Sequence, residues 1–148
     1  MFREAHAVWK DGPYSGKGTV STPGGVLSNA SFVLGLAGTS TSTTPSELLV
    51  AAVACSMSAM VFLRLDQCGA KPLAVDTHAI VTVDDSGNGW QLRRLNLEIT
   101  AQMHEPAADR LLHEAVEKAR RDCPILSVLN LDVACIAKLV SPDVPIAA

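Results

Sequence analysis

Hydrophobic positions alternate with polar ones near both ends of the chain and crowd together in the middle. Phe2 to Lys10 alternates as a strand does. Gly16 to Leu27 predicts two short strands around the Pro23-Gly24-Gly25 turn, and Ser31 to Leu36 a third, followed by a Ser/Thr-rich loop over Thr39 to Thr44. Thr44, Pro45 and Glu47 then form a helix start: N-cap, first helical residue and capping-box acceptor. The helix is predicted over Pro45 to about Gln67, ending at Cys68-Gly69, where glycine suits the residue after the C-cap. It is apolar nearly all round, so it is expected to be buried on every side. Its small residues Ala51, Ala52, Ala54, Cys55, Ser56, Ser58 and Ala59 would let another backbone approach, which suits a second subunit.

Two long alternating runs follow, Ala74 to Asp84 and Trp90 to Gln102, joined by the turn-rich Asp85-Ser86-Gly87-Asn88-Gly89. Pro106 is expected to open a second helix with Ala108, Leu112, Ala115, Val116 and Ala119 on one face. Glu114 with Lys118 and Glu117 with Arg121 are spaced as ion pairs on its other side. Cys123-Pro124 ends it, Ile125 to Asn130 suggests a short third helix, and Leu131 to Val140 a last strand. Strands in runs with helices between them indicate an α+β fold with antiparallel β-sheets around a long buried central helix, in a single domain over residues 1–148.

Composition narrows the function classes. The chain is 48% hydrophobic and only 18% charged, which excludes a disordered acidic segment. A net charge of −3 with no basic run argues against nucleic acid. The N-terminus is charged and alternating, unlike a signal peptide, so the reducing cytoplasm is the expected compartment. The longest apolar run, Leu48 to Leu63, is shorter than the roughly 20 residues of a membrane span, so no membrane partner is expected. Cys55, Cys68, Cys123 and Cys135 include no Cys-x-x-Cys pair, and His6, His78, His104 and His113 form no short ligand pair, so no metal or other cofactor is called for.

The cysteines differ in what their positions permit. Cys55 lies about 12 Å of helical rise beyond Glu47, outside the favourable dipole of the first turn. A reactive thiol there needs a cation from another element or chain, and Arg64, nine residues on, faces the other way. Position alone makes Cys55 a small core side chain. Cys123, before proline and at the expected start of a helix, sits where backbone N–H groups would stabilise a thiolate, although an ordinary helix-boundary role explains it equally. Cys68 is read as a helix-end residue and Cys135 as apolar strand filler, while a capping box accounts for Glu47.

Taken together, Gly16-Lys17-Gly18-Thr19-Val20-Ser21-Thr22 with Gly25-Val26-Leu27, Thr44-Pro45-Ser46-Glu47 through Cys55, and Ala119 through Cys123-Pro124 to Leu129 resemble the osmotically inducible protein C and organic hydroperoxide resistance (OsmC/Ohr) family. The resemblance runs from about Trp9 to Val140. It implies an intertwined homodimer with paired central helices, and a cofactor-free thiol peroxidase acting on organic hydroperoxides with an external dithiol reductant. It makes Cys55 the peroxidatic thiol, Cys123 the resolving thiol and Glu47 the residue that orients a cation. The family's arginine is missing between Ser31 and Thr44, and in the Gly16–Leu27 hairpin the sole cation is Lys17. A lysine supplies charge without the bidentate fork that pairs with glutamate. That departure keeps open a rival reading, a weakly catalytic or non-catalytic stress-related binding protein of the same fold. A cysteine-dependent acyl hydrolase lacks an identifiable base.

Overall fold

A computed structural model describes residues 1–12, 15–35, 41–85, 87, 89–107 and 109–146. Leu36, Thr39, Ser86, Asn88 and Ala108, which the sequence assigns to a strand end, a loop, a turn and a helix face, lie outside the described residues. The elements are β1 (His6–Lys10), β2 (Lys17–Ser21), β3 (Ala30–Phe32), α1 (Pro45–Gln67), β4 (Pro72–Asp85), β5 (Trp90–Met103), α2 (Asp109–Asp122), a 3-10 turn (Leu126–Val128) and β6 (Asp132–Val140). They divide into two compact units, Met1–Leu49 and Val50–Ala148.

The first unit is an antiparallel sheet in the order β1-β2-β3. Gly18 lies opposite both Trp9 and Phe32 in the strand register, and those two rings pack with centroids 5.7 Å apart. A Cβ on Gly18 would run into the Phe32 ring, so the middle strand needs glycine there. The strand expected at Val26-Leu27 does not form, because Thr22 N–H bonds back to the Leu27 carbonyl at 2.9 Å and closes the Pro-Gly-Gly segment on itself. Strand pairing resumes only at Ala30, and β1 begins at His6 rather than Phe2. Beyond β3, Val33 N–H donates to the Thr43 carbonyl and Thr43 N–H to the Ser31 carbonyl, which delivers the chain to the N-cap of α1.

Both ends of α1 form as local chemistry dictates. Glu47 N–H donates to Thr44 Oγ1 at 3.2 Å while Thr44 N–H donates to Glu47 Oε2 at 2.8 Å, a complete capping box. At the other end Gly69 has φ +76, with Gly69 N–H bonded to the Asp66 carbonyl and Ala70 N–H to that of Leu65. Those two bonds make a Schellman stop, which requires a left-handed residue at Gly69.

The second unit is a sheet in the order β4-β5-β6. β4 and β5 form the expected long antiparallel hairpin, from Pro72 opposite Met103 to Asp85 opposite Trp90. β6 joins β5 in parallel, from Arg94 opposite Asp132 to Gln102 opposite Val140, which makes the sheet mixed rather than wholly antiparallel. A parallel return needs a crossover, and α2 supplies it. α2 starts at Asp109, later than Pro106, and Glu114 and Glu117 pair with Arg110 and Arg120 instead of Lys118 and Arg121. These are exposed side chains with several partners in reach, so spacing alone does not choose among them.

The core of this unit joins Val53, Met57, Val61 and Leu65 of α1, Leu95, Leu97 and Ile99 of β5, and Leu112, Ala115, Val116 and Ala119 of α2. α1 is long and apolar enough to cross a membrane by length and composition, yet this stripe packs as in a core helix. Burial on every side does not hold within one chain: Ala51, Ala52, Cys55, Ala59, Phe62 and Leu63 are exposed.

Candidate functional site

The apolar run that builds α1 brings Cys55 to the middle of its exposed face, with Ala52 and Ala59 one turn to either side. Among the described residues no hydrogen bond or ion pair reaches the Cys55 sulfur, which is a free thiol. Arg64 points elsewhere, as the spacing implies, and its Nη2 donates to Asp122 Oδ2 at 2.8 Å.

Cys123 is the opposite case. It follows the last turn of α2, is fully buried within the core and is also a free thiol. The third helix expected to begin near it is a single 3-10 turn, Leu126–Val128, because Pro124 and the return to β6 leave no room for more. The Cys123 carbonyl accepts from Ser127 N–H at 3.0 Å. The polar partner of its sulfur is not a helix N-terminus but the Ser56 hydroxyl, with Oγ 3.2 Å from Sγ. Cys123 is thus seated against α1 one residue along from Cys55. The Arg64–Asp122 ion pair ties the preceding residue to α1 two turns further on. Each contact closes a long loop, so neither is visible as local spacing.

The remaining candidates are Cys68 and Cys135 in the same unit and Glu47 and Lys17 in the other. Cys68 is exposed at the end of α1, where its N–H completes the last turn. Cys135 is half-buried on β6, and burial pushes its thiol above the usual value, with Arg120 pulling down and Glu117 adding to the rise. Both fit the filler and helix-end roles read from the sequence. In the first unit, Glu47 Oε2 accepts from Thr43 Oγ1 at 2.9 Å as well as from the Thr44 N–H. Lys17 opens β2 opposite Lys10 and is exposed. No group of three or more potential metal ligands occurs among the described residues. A cleft of about 540 Å³ beside α2, lined by Glu117, Arg120, Ser127 and Asp132 among others, includes neither Cys55 nor Cys123.

Ser56 and the Arg64–Asp122 pair were not among the residues singled out from sequence. Ser56 read only as a small side chain, although a hydroxyl amid so apolar a run was a visible signal.

Comparison with known proteins bears on the family and the fold. The family model for OsmC-like protein matches residues 38–136. Peroxiredoxin OsmC of Escherichia coli is 30% identical over 139 residues, which covers 90% of this chain and 93% of that protein. The OsmC-like protein of Mycoplasma pneumoniae superposes with a TM-score of 0.76 at 14% identity, over 95% of this chain and 98% of its own. The organic hydroperoxide resistance protein OhrB of Bacillus subtilis gives 0.67 at 19% identity, over 91% and 98%.

Proposed function

The chain belongs to the OsmC-like family, and from that membership we propose that it is a thiol-dependent peroxidase reducing organic hydroperoxides to alcohols. The observation that carries the reading is the pairing of an exposed Cys55 on α1 with a buried Cys123 held against the very next residue. An exposed thiol meets substrate, and a buried one is kept for a single intramolecular partner.

The Cys55 thiolate attacks the distal peroxide oxygen. A sulfur–oxygen bond forms, the oxygen–oxygen bond breaks, and the alkoxide leaves as alcohol after taking a proton. Cys123 then displaces the sulfenic oxygen as water and leaves a disulfide, which an external dithiol reduces. The exposed apolar side chains beside Cys55 suit alkyl or lipid-like peroxides better than hydrogen peroxide. Lys17 supplies the positive charge in place of arginine, and Glu47 orients it. A second copy of the chain covers part of the exposed face of α1 in a homodimer and leaves Cys55 open to substrate at the subunit interface, and the reducing cytoplasm keeps the cycle supplied with thiols.

The decisive comparison is peroxide consumption by wild type and Cys55→Ser with a dithiol present. Wild type alone is expected to turn over, and equal rates would remove the assignment. The absence of arginine from Ser31 to Thr44 favours a second reading, a weakly catalytic binding protein. One equivalent of cumene hydroperoxide separates the two. Loss of two thiols, mapped to a Cys55–Cys123 disulfide, supports the enzyme; no loss, with an apolar ligand co-purifying, supports the binder.

A further inference from the structure

The resolving step asks something difficult of Cys123. Its sulfur must become an attacking thiolate while fully buried among apolar side chains. An anion there is costly unless a donor faces it. The residue lies just past the C-terminal end of α2, and a helix C-terminus offers carbonyl oxygens rather than N–H groups. Among the described residues, the side chain that meets the sulfur with a polar atom is Ser56, at 3.2 Å.

The Ser56 hydroxyl has a second sulfur within reach, donating to Met60 Sδ at 3.8 Å. A hydroxyl carries one proton and two lone pairs, so the three groups form a directional chain. In the resting thiol, the Cys123 S–H donates to Ser56 Oγ and the Ser56 O–H donates to Met60 Sδ. A thioether is a weak acceptor, and giving up that bond costs little. From this arrangement we infer that Ser56 is the positioning residue of the resolving step: its hydroxyl turns from accepting the Cys123 proton to donating to the Cys123 sulfur as that sulfur attacks.

The step balances without any added reactant. The sulfur–sulfur bond forms as the Cys55 sulfur–oxygen bond breaks, and the Cys123 proton leaves with that oxygen as water. Ser56 ends unchanged. A hydrogen bond to a charged sulfur is stronger than one to a neutral thiol, so the hydroxyl favours the attacking form over the resting one. The geometry also fixes where Cys123 waits, on the residue next to its target.

This inference rests on the peroxidase reading, and one experiment separates the failure of each. Protein is reacted with one equivalent of cumene hydroperoxide in the presence of dimedone, and the ratio of Cys55–Cys123 disulfide to Cys55 dimedone adduct is read by mass spectrometry. That ratio reports resolution relative to trapping of the sulfenic acid, and it is read on the folded fraction isolated by gel filtration, so that loss of folded protein does not shift it. Ser56→Ala is expected to lower the ratio about tenfold, the scale of one charge-assisted hydrogen bond. Ser56→Thr, which keeps the hydroxyl, is expected to restore it, and Ser56→Val, matched to threonine in shape, to lower it like alanine. The threonine and valine variants decide the matter even where Ser56→Ala fails to fold. Equal ratios for the two would overturn the role of Ser56 and leave the peroxidase reading standing. Wild type that yields neither disulfide nor adduct would overturn both.

Discussion

The two helices of this chain answer to burial in different ways. α2 divides cleanly, with Leu112, Ala115, Val116 and Ala119 against the sheet and Arg110, Glu114, Glu117 and Arg121 in water. Its sequence states which side is inside, and the structure needs nothing more to satisfy it. α1 has apolar residues on both sides and covers only one of them. Val53, Met57, Val61 and Leu65 are fully buried, whereas Ala51, Ala52, Ala59, Phe62 and Leu63 remain exposed around Cys55. The difference teaches that the apolarity of α1 exceeds what its own core requires. The surplus lies on the face that carries the exposed thiol.

The contrast within α1 is sharpened most by truncating one residue from each face. Met57→Ala removes a fully buried side chain and should cost about 2–5 kcal/mol, read from urea unfolding. Leu63→Ala, on a residue half exposed to solvent, should cost well under half as much in dilute protein. Equal losses would show that the two faces are not distinct. The proposed second copy is tested next by Ala59→Glu, which places an uncompensated carboxylate on the exposed face. Association should weaken by roughly a hundredfold or more, seen by sedimentation at falling concentration. The matching change on α2, Glu117→Ala, should leave association untouched. A dimer unaffected by Ala59→Glu would break the proposal.

Smaller still is the effect at the start of α1, where the comparison turns on local bonds instead of packing. Thr44→Ala deletes the N-cap oxygen that receives Glu47 N–H and should cost about 1 kcal/mol. Because the capping box is reciprocal, Glu47→Gln should retain most of that stability, since a glutamine oxygen still accepts from the Thr44 N–H. If Glu47 also orients the cation for the peroxidase, the same substitution lowers turnover far more than it lowers the melting temperature. Parallel losses in both would confine Glu47 to capping.

What could be read in advance follows from the range of the forces involved. The bounds of α1 were legible at both ends because Thr44, Glu47 and Gly69 act within a few residues of one another. The β4–β5 hairpin was legible because its alternation is long and its turn is rich in glycine. The direction of β6 was not, since alternating Val133, Cys135 and Ala137 bury the same face whether the strand runs parallel or antiparallel. The failed strand at Val26-Leu27 shows a local hydrogen bond outcompeting sheet pairing. In the candidate site, the roles proposed for Cys55 and Cys123 rest on family resemblance, since local position explained Cys55 as core filler and Cys123 equally well as a helix-boundary residue. Ser56 and Asp122 were not, because each meets its partner across more than fifty residues, and only the packing of α2 on α1 decides which side chains arrive there.

Cys135 supplies the weakest and most specific contrast with the two proposed working thiols. Burial holds its thiol above the ordinary value of 9.0, Arg120 opposes the shift and Glu117 reinforces it. An unfolded chain releases that proton as pH climbs past its ordinary pKa, while the folded chain still holds it. The folded state therefore binds more protons across this window, and stability falls as pH rises through it. Well below pH 9 the group contributes no pH dependence. Melting temperatures from pH 8 to 10.5 should decline less steeply for Cys135→Ala than for wild type, with the two curves parallel at the acid end. Iodoacetamide at pH 8 should label the exposed Cys55 before Cys135, since a retained proton and partial burial both slow attack. Faster labelling of Cys135 would mean that the Arg120 charge, not burial, governs that sulfur.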